Sequence, residues 1–478
     1  MARSLLRFAL LAAAICACGA SAVLSGVLRT EALPATLDPR SASADDFFGI
    51  TKLYTFELRI AAADFQKMPP VSGGGGRGLG GGGLENGYEK VPATLRFEGR
   101  DWGPITVRYK GNSSYRSARS ELKRSLKLIF RGSGTGRFFG MTTVNLNNNA
   151  FDSSQMRETL AFEVFRRAEV PAPRTAYAKV FITVPGQYQH AYAGLFTIVE
   201  QIDQTFFRER WGHKLGVLVK PEGLDGLPDL GNNWQAYAEG YSAKGAATTS
   251  DAARLIECVQ FLDHSSDEDF ARHAGEYLDL EEFLRFLAAE VVLVNTDSPL
   301  AMNHNYWLTI HPTTRKMVWI PWDMNMAFGG FHNGDSRLSL SQPSAPGMFP
   351  LATRVLSNPQ FFARYKKIVR DMLLTNFNLD RLDGEMHRVA ASIQDAVAID
   401  PTTTTAKFEA NLAAAPVADT DNTRGGGGQE FRGFGFGGRI GPPLRQFIGE
   451  RIDSVRDQLD GKTTGTAGLP GFGRGWGN

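Results

Sequence analysis

Residues 295–328 read NTDSPLAMNHNYWLTIHPTTRKMVWIPWDMNMAF. Two aspartates, Asp297 and Asp323, stand at the two ends of this stretch. Between them the pattern gives a polar loop rich in Asn and His, a strand over Tyr306–Ile310, a turn over His311–Lys316 and a second strand over Met317–Pro321. The apolar run EEFLRFLAAEVVLV, Glu281–Val294, predicts a helix leading in, and Pro299 prevents it from running on. On the second strand Met317, Trp319, Pro321 and Asp323 share one face, because side chains alternate along a strand. An Asp after a helix is, taken alone, an ordinary turn residue. A pair of them closing the two ends of one hairpin points to chemistry.

Upstream the chain is rich in strands. YTFELRI from Tyr54, the stretches Val91–Phe97 and Ile105–Tyr109, SLKLIF (Ser125–Phe130) and VNLNNNAF (Val144–Phe151) all read as extended. A short helix is expected around Ala61–Met68 and a polar turn at KGNSSYRS, Lys110–Ser117. SSQMRETLAFEVFRRA predicts a helix capped by Ser153, with Met156, Leu160, Val164 and Phe165 on one face. YAKVFITV and YAGLFTIVEQID then form an antiparallel pair, and GVLVKPE is a further strand. From Asp251 onward helical patterns dominate, up to LRQFIGERIDSVRDQL. The fold class expected is α+β: a β-rich first lobe over residues 51–202, carrying a glycine-rich insertion at 73–83, and a mainly helical second lobe over 203–460 that holds the Asp297–Asp323 stretch. Residues 23–50 read as a linker and 461–478 as a disordered tail.

The totals set limits. The chain has 478 residues, a net charge of +2 and only eight histidines. That charge gives no indication of a nucleic-acid partner, so any phosphate-binding patch must be local. Residues 1–22 have the three parts of a secretory signal peptide: Arg3 and Arg7, an apolar run, then Ala20-Ser21-Ala22. An uncleaved anchor is the alternative, since apolar character continues to Leu28. The chain is therefore expected to be secreted, periplasmic or at the cell surface, with no membrane span after cleavage. Cleavage leaves Cys258 alone, a packed thiol in LIECVQFL, and excludes an internal disulfide. The run GGGGRGLGGGG is not a phosphate loop: it lacks the terminal GKS or GKT and a following helix. No HExxH, CxxC, GxSxG or dinucleotide fingerprint occurs in a fitting context.

A carboxylate followed by an amide and a second carboxylate is the equipment of phosphoryl transfer. One Asp orients an acceptor hydroxyl, and an Asn and the other Asp hold Mg²⁺. Asp297 takes the first role and Asp323 the metal role, with Asn305 as the amide ligand and Asn303 as the alternative. The phosphates need lysines. Lys127, in the alternating strand SLKLIF, is a candidate, to be paired with Glu163 or Glu158 on the following helix, Glu163 lying nearer its middle. Lys220 in GVLVKPE is a second candidate. Met317, facing the same way as Asp323, is expected on the nucleotide. Glu200, in GLFTIVEQID, stands where the chain crosses between the lobes.

Together VRYKGNSSYRS, KRSLKLIF, NLNNNAFDSSQMRETLAFEVFRRAEVPAPRTAYAKVFI, YAGLFTIVEQID, EVVLVNTDSPLAMNHNYWL and VWIPWDMNMAFGG resemble the CotH kinase family, in order over roughly residues 50–400. The resemblance implies an atypical protein-kinase-like fold and transfer of phosphate from ATP, with Mg²⁺ or Mn²⁺, to serine of an exported protein substrate. It implies that Asp297 is catalytic, that Asp323 binds metal with Asn305 between them, and that Glu200 matches the glutamate of an E-x-I-D segment. The chain departs from the family at Asn325, where an acidic residue is frequent. A non-catalytic coat or surface protein on the same scaffold is the competing expectation.

Overall fold

A computed structural model describes residues 38–70, 87–414 and 441–468, apart from 119, 131, 133–135, 332 and 333. The expected signal peptide and the glycine-rich insertion lie outside the described residues.

Seven strands form a closed barrel: β1 (Leu53–Arg59), β2 (Val91–Phe97), β3 (Arg100–Tyr109), β4 (Leu126–Ile129), β5 (Thr143–Asn147), β6 (Thr175–Val184) and β7 (Tyr188–Glu200), in the spatial order β1-β2-β3-β4-β5-β7-β6. Neighbours are antiparallel except at the closure, where β1 runs parallel to β6 and Leu53 faces Tyr177. Alternation sets the inside. On β2, Val91, Ala93, Leu95 and Phe97 are buried while Pro92, Thr94 and Arg96 are exposed, as period-two side chains require. The hairpin from β2 to β3 turns on Glu98 and Gly99, both at positive φ (49° and 71°), the conformation that matches the twist of the flanking strands.

The barrel interior reaches further toward the N-terminus than the sequence suggests. Residues 38–50 are not linker. A short helix, Ala44–Phe47, inserts Phe47 into the barrel, fully buried and stacked on Tyr54 at 4.7 Å. Two phenylalanines after an acidic, serine-rich stretch read as linker by composition, but they bury enough apolar surface to order it.

A second sheet has the order β10-β9-β8, from β8 (Leu218–Val219), β9 (Tyr306–Ile310) and β10 (Met317–Pro321). Every residue of β9 and β10 is buried. Among the helices that support this sheet, the barrel or the loops between them are α1 (Arg157–Arg167), α2 (Leu280–Val292), α3 (Pro359–Thr375), α4 (Leu379–Ala398) and α5 (Leu444–Leu459). One hydrophobic cluster fills the barrel, and a second joins α1, the β9–β10 hairpin and the helices of the C-terminal half. The protein is thus a mixed α+β fold. Met156, which precedes α1, and Leu160, Val164 and Phe165 within it are all buried as the periodicity predicts. The helix begins later than Ser153: its N-cap is Met156, and the Arg157 N–H donates to the Asp152 carboxylate at 2.8 Å. The tail expected to be disordered from Gly461 is ordered through Gly468: Thr466 pairs with Leu338, and its carbonyl accepts the Ser339 N–H at 2.7 Å. Cys258 is a core thiol that donates to the Tyr277 carbonyl, and burial pushes it up to about 12.

Candidate functional site

Helix α2 delivers the chain to the Asp297 loop, and β10 delivers it to Asp323. Two backbone bonds join the deliveries: the Phe328 N–H donates to the Leu293 carbonyl at 2.6 Å and the Gly329 N–H to the Val294 carbonyl at 3.4 Å. The hairpin pairing continues past Pro321, with the Trp322 N–H on the Asn305 carbonyl at 3.0 Å. Asp323 therefore emerges beside the His304–Asn305 end of β9. Four residues here, Asn303, Asn305, Asp323 and Phe328, hold φ between 49° and 62°. Asn and Asp tolerate that left-handed region; Phe does so at a cost of roughly 1–2 kcal/mol. Val294, a β-branched residue at φ 47°, is more strained still. Such conformations persist only where surrounding contacts enforce them.

Asp297 is held from two sides. The Nε2 of His304 lies 2.7 Å from its Oδ1. The Asn305 Nδ2 donates to the Asp297 carbonyl at 2.8 Å and to Oδ2 at 3.3 Å. Burial opposes the His304 imidazolium, but the charge of Asp297 and the hydrogen bond to it outweigh burial and raise the histidine above its ordinary value.

Three carboxylates and three cationic groups converge. Burial raises Asp323 above the usual carboxylate range, and neighbouring Asp297 adds to the rise; Lys110, Lys220 and His304 oppose it. Glu158, in the first turn of α1, is pushed up to about 8, first by burial and then by Asp323. Its Oε2 accepts from Asn147 Nδ2 at 2.8 Å, while its buried Oε1 has no hydrogen-bond partner among the described residues. Lys110 donates to Asn147 Oδ1 at 2.6 Å and lies 5.5 Å over the Trp322 ring. Lys220 pairs with Glu222 at 2.5 Å and lies 5.9 Å over the Trp307 ring.

Of the residues picked from sequence, the fold brings Asp297, Asn305, Asp323 and Lys220 together. It places the others differently. Glu163 is ion-paired with Arg166 and Arg167, at 2.5 and 3.1 Å; the glutamate of that helix beside Asp323 is Glu158. Glu200 is clamped by Arg174 and Arg210 at 2.5 and 2.6 Å and serves that ion cluster. Met317 lies at the end of β10 away from Asp323, fully buried, its carbonyl accepting the Asp279 N–H at 3.0 Å. Lys127 is half-buried on the outward face of the barrel, opposite Arg108 and Asn145. Lys110, just past β3, is a barrel lysine whose charge reaches Asp323. Asn325 is half-buried in the 3-10 turn after Asp323.

Among the described residues, no three His, Cys, Asp or Glu side chains form a closed metal cage, so the donors do not suit a structural zinc site. They do suit a hard divalent cation that takes most of its oxygens from phosphate and water and only one or two from protein. The Asp323 carboxylate and the Asn305 amide oxygen are such donors, and a bound cation would offset the burial, and the lesser carboxylate repulsion, that raise Asp323 and Glu158.

The chain belongs to the family described as CotH kinase protein, whose profile matches residues 107–419. The inner spore coat protein H of Bacillus subtilis strain 168 is 23% identical over 317 residues, covering 66% of this chain and 83% of that protein. An inner spore coat protein H-like protein of the same organism is 23% identical over 280 residues, 58% of this chain and 76% of that one. Among solved structures, a Shewanella oneidensis HipA–HipB–operator DNA complex aligns at 11% identity, over 72% of this chain and 64% of that chain, with a TM-score of 0.25. At that score it carries no argument about the fold.

Proposed function

We propose that this protein is an exported protein kinase that transfers the γ-phosphate of ATP to serine or threonine of a secreted or surface protein. The barrel and the helical half would act as its two lobes. The observation that carries this reading is the convergence of Asp297, Asn305 and Asp323 on one hairpin, faced by Lys110, Lys220 and His304. Asp297 accepts a hydrogen bond from the acceptor hydroxyl and takes its proton as the oxygen attacks phosphorus and ADP leaves. His304 and Asn305 hold the Asp297 carboxylate in place. Lys110 and Lys220 offset phosphate charge, and Glu158, through Asn147, keeps Lys110 at the cleft. Asp323 and the Asn305 oxygen would hold Mg²⁺ or Mn²⁺, which when bound neutralises charge on the phosphates.

The test is transfer of radiolabelled phosphate from ATP to the protein itself or to casein. Asp297→Asn and Asp323→Asn are each expected to lose about 10²-fold or more of the wild-type rate while remaining folded. Wild-type rates in both variants would refute the proposal. The names of both Bacillus relatives support a second reading, a non-catalytic coat or surface protein on the same scaffold. Under it, millimolar ATP with Mn²⁺ leaves the thermal midpoint of the wild type unmoved, since only a ligand of the native state raises it.

A further inference from the structure

The first turn of α1 carries two consecutive charged residues that are both fully buried, and both are directed at the Asp323 segment. Glu158 faces Asp323 itself. Arg157 reaches the backbone just beyond it: its Nη1 donates to the Ala327 carbonyl at 3.1 Å and to the Phe328 carbonyl at 2.8 Å. Its Nη2 donates to the Pro442 carbonyl, in the segment that enters α5. Among the described residues its carboxylate neighbour is Asp152, which lies 3.5 Å from Nε and is already engaged by backbone N–H groups and the Ser154 hydroxyl. A guanidinium removed from water and directed mainly at backbone carbonyls is costly to keep unless those carbonyls must be fixed.

Two of the three carbonyls it holds, those of Ala327 and Phe328, belong to the loop that follows Asp323, which is strained at Phe328. Phe328 sits at φ 58°, and Gly329 follows at 67°. The Phe328 N–H is held by the Leu293 carbonyl on the Asp297 side, its carbonyl by Arg157, and its ring is fully buried. The packing is tight around the fork: a Cβ on Gly441 would lie 2.8 Å from the Gly330 Cα and 3.1 Å from the Arg157 Nη2. The planar five-donor fork of arginine suits three carbonyls arriving from two directions, and a lysine ammonium does not reproduce it.

We infer that Arg157 is a positioning residue that sets the Asp323 loop for its metal, coupling α1 and the entry to α5 to that loop. The inference rests on the kinase reading for the purpose of the metal, and it concerns a residue that touches neither substrate nor cation.

The test compares wild type with Arg157→Lys and Gly441→Ala. Two quantities are read: the rise in thermal midpoint as Mn²⁺ is titrated without ATP, and the Mn²⁺ concentration giving half-maximal phosphate transfer. Loss of a group that orients a metal ligand typically weakens metal binding about 10-fold or more. Arg157→Lys should therefore need at least about 10-fold more Mn²⁺ by both readouts, with transfer largely restored at saturating Mn²⁺. A purely structural role would lower the midpoint without Mn²⁺ and leave the Mn²⁺ requirement unchanged; that result overturns the inference. If Arg157→Lys does not fold, Gly441→Ala, whose Cβ crowds both the Gly330 Cα and the Arg157 fork without removing charge, is read in the same way. A wild type that Mn²⁺ stabilises but that transfers no phosphate refutes the kinase reading and leaves the stabilisation comparison to judge Arg157.

Discussion

In the resting fold Asp323 is a residue held at a cost to stability. It occupies the left-handed region, and its carboxyl is raised first by burial and then by Asp297. Asparagine adopts the same backbone conformation with ease and carries no charge. Asp323→Asn is therefore expected to unfold at a higher temperature than wild type when no metal is present, and to lose the stabilisation that Mn²⁺ gives. A scanning-fluorimetry pair with and without Mn²⁺ checks this; a lower midpoint, or an intact Mn²⁺ response, contradicts it. Such a trade of stability for function is common at active sites. Asp297, Asn305 and Asp323 were legible in the sequence because one hairpin brings them together. Lys110 was not, and Glu158 was legible only as the alternative to Glu163. Lys110 and Lys127 both face outward from the barrel, since Arg108 pairs with Lys127 and Lys110 follows on the same face. Alternation alone cannot choose between them; the docking of α1 does, by putting Glu158 and not Glu163 beside Asp323.

At the scale of an element, α2 carries two acids, Glu282 and Glu290, that the fold buries although glutamates on a helix ordinarily face solvent. Glu282 accepts the Trp319 N–H at 3.2 Å and is raised well above its ordinary value by burial. Glu290 accepts from Asn295 Nδ2 at 2.8 Å, at the base of the Asp297 loop, and is pushed from 4.5 up to about 8, again by burial first. Because the folded value lies above the unfolded one, the folded chain keeps a proton that the unfolded chain releases. This disfavours folding progressively as pH rises from 4.5 to about 8 and has no effect below that window. Glu290→Gln should match wild type in thermal midpoint near pH 5 and exceed it near pH 8, by an amount corresponding to a few kcal/mol at most. Equal differences at the two pH values would rule this out. Periodicity identifies α2 as a helix but places its end two residues late. Val292 is the last helical residue, and Val294 has already turned to φ 47°.

In the molecule as a whole, the barrel and the helical half are joined by a buried ion pair far apart in sequence. Lys123, just before β4, lies 2.6 Å from Asp400, just after α4, with both side chains fully buried. Thr402 and the Leu195 N–H complete the cluster. Breaking one side strands a charge, so Asp400→Asn should cost about 3 kcal/mol in chemical denaturation. Lys123→Met combined with Asp400→Leu should recover most of that loss; a double variant no more stable than the single one would show that the pair contributes more than mutual neutralisation. The division into a strand-rich half and a helical half was legible from patterning, because alternation and helical periodicity are local. Phe47 inside the barrel and the pairing of Thr466 with Leu338 were not, because each depends on a distant partner. That distance has a practical meaning for anyone trimming the chain. The family profile starts at Val107, inside β3, and stops at residue 419, before α5. A fragment cut to those limits would strip β6 of its parallel neighbour, open the barrel along two unpaired edges, and discard both the Pro442 carbonyl and the buried Arg451 that ties α5 to Val291 and Leu338. The cooperative folding unit is therefore larger than the recognisable family segment, and it includes strands that the profile leaves out.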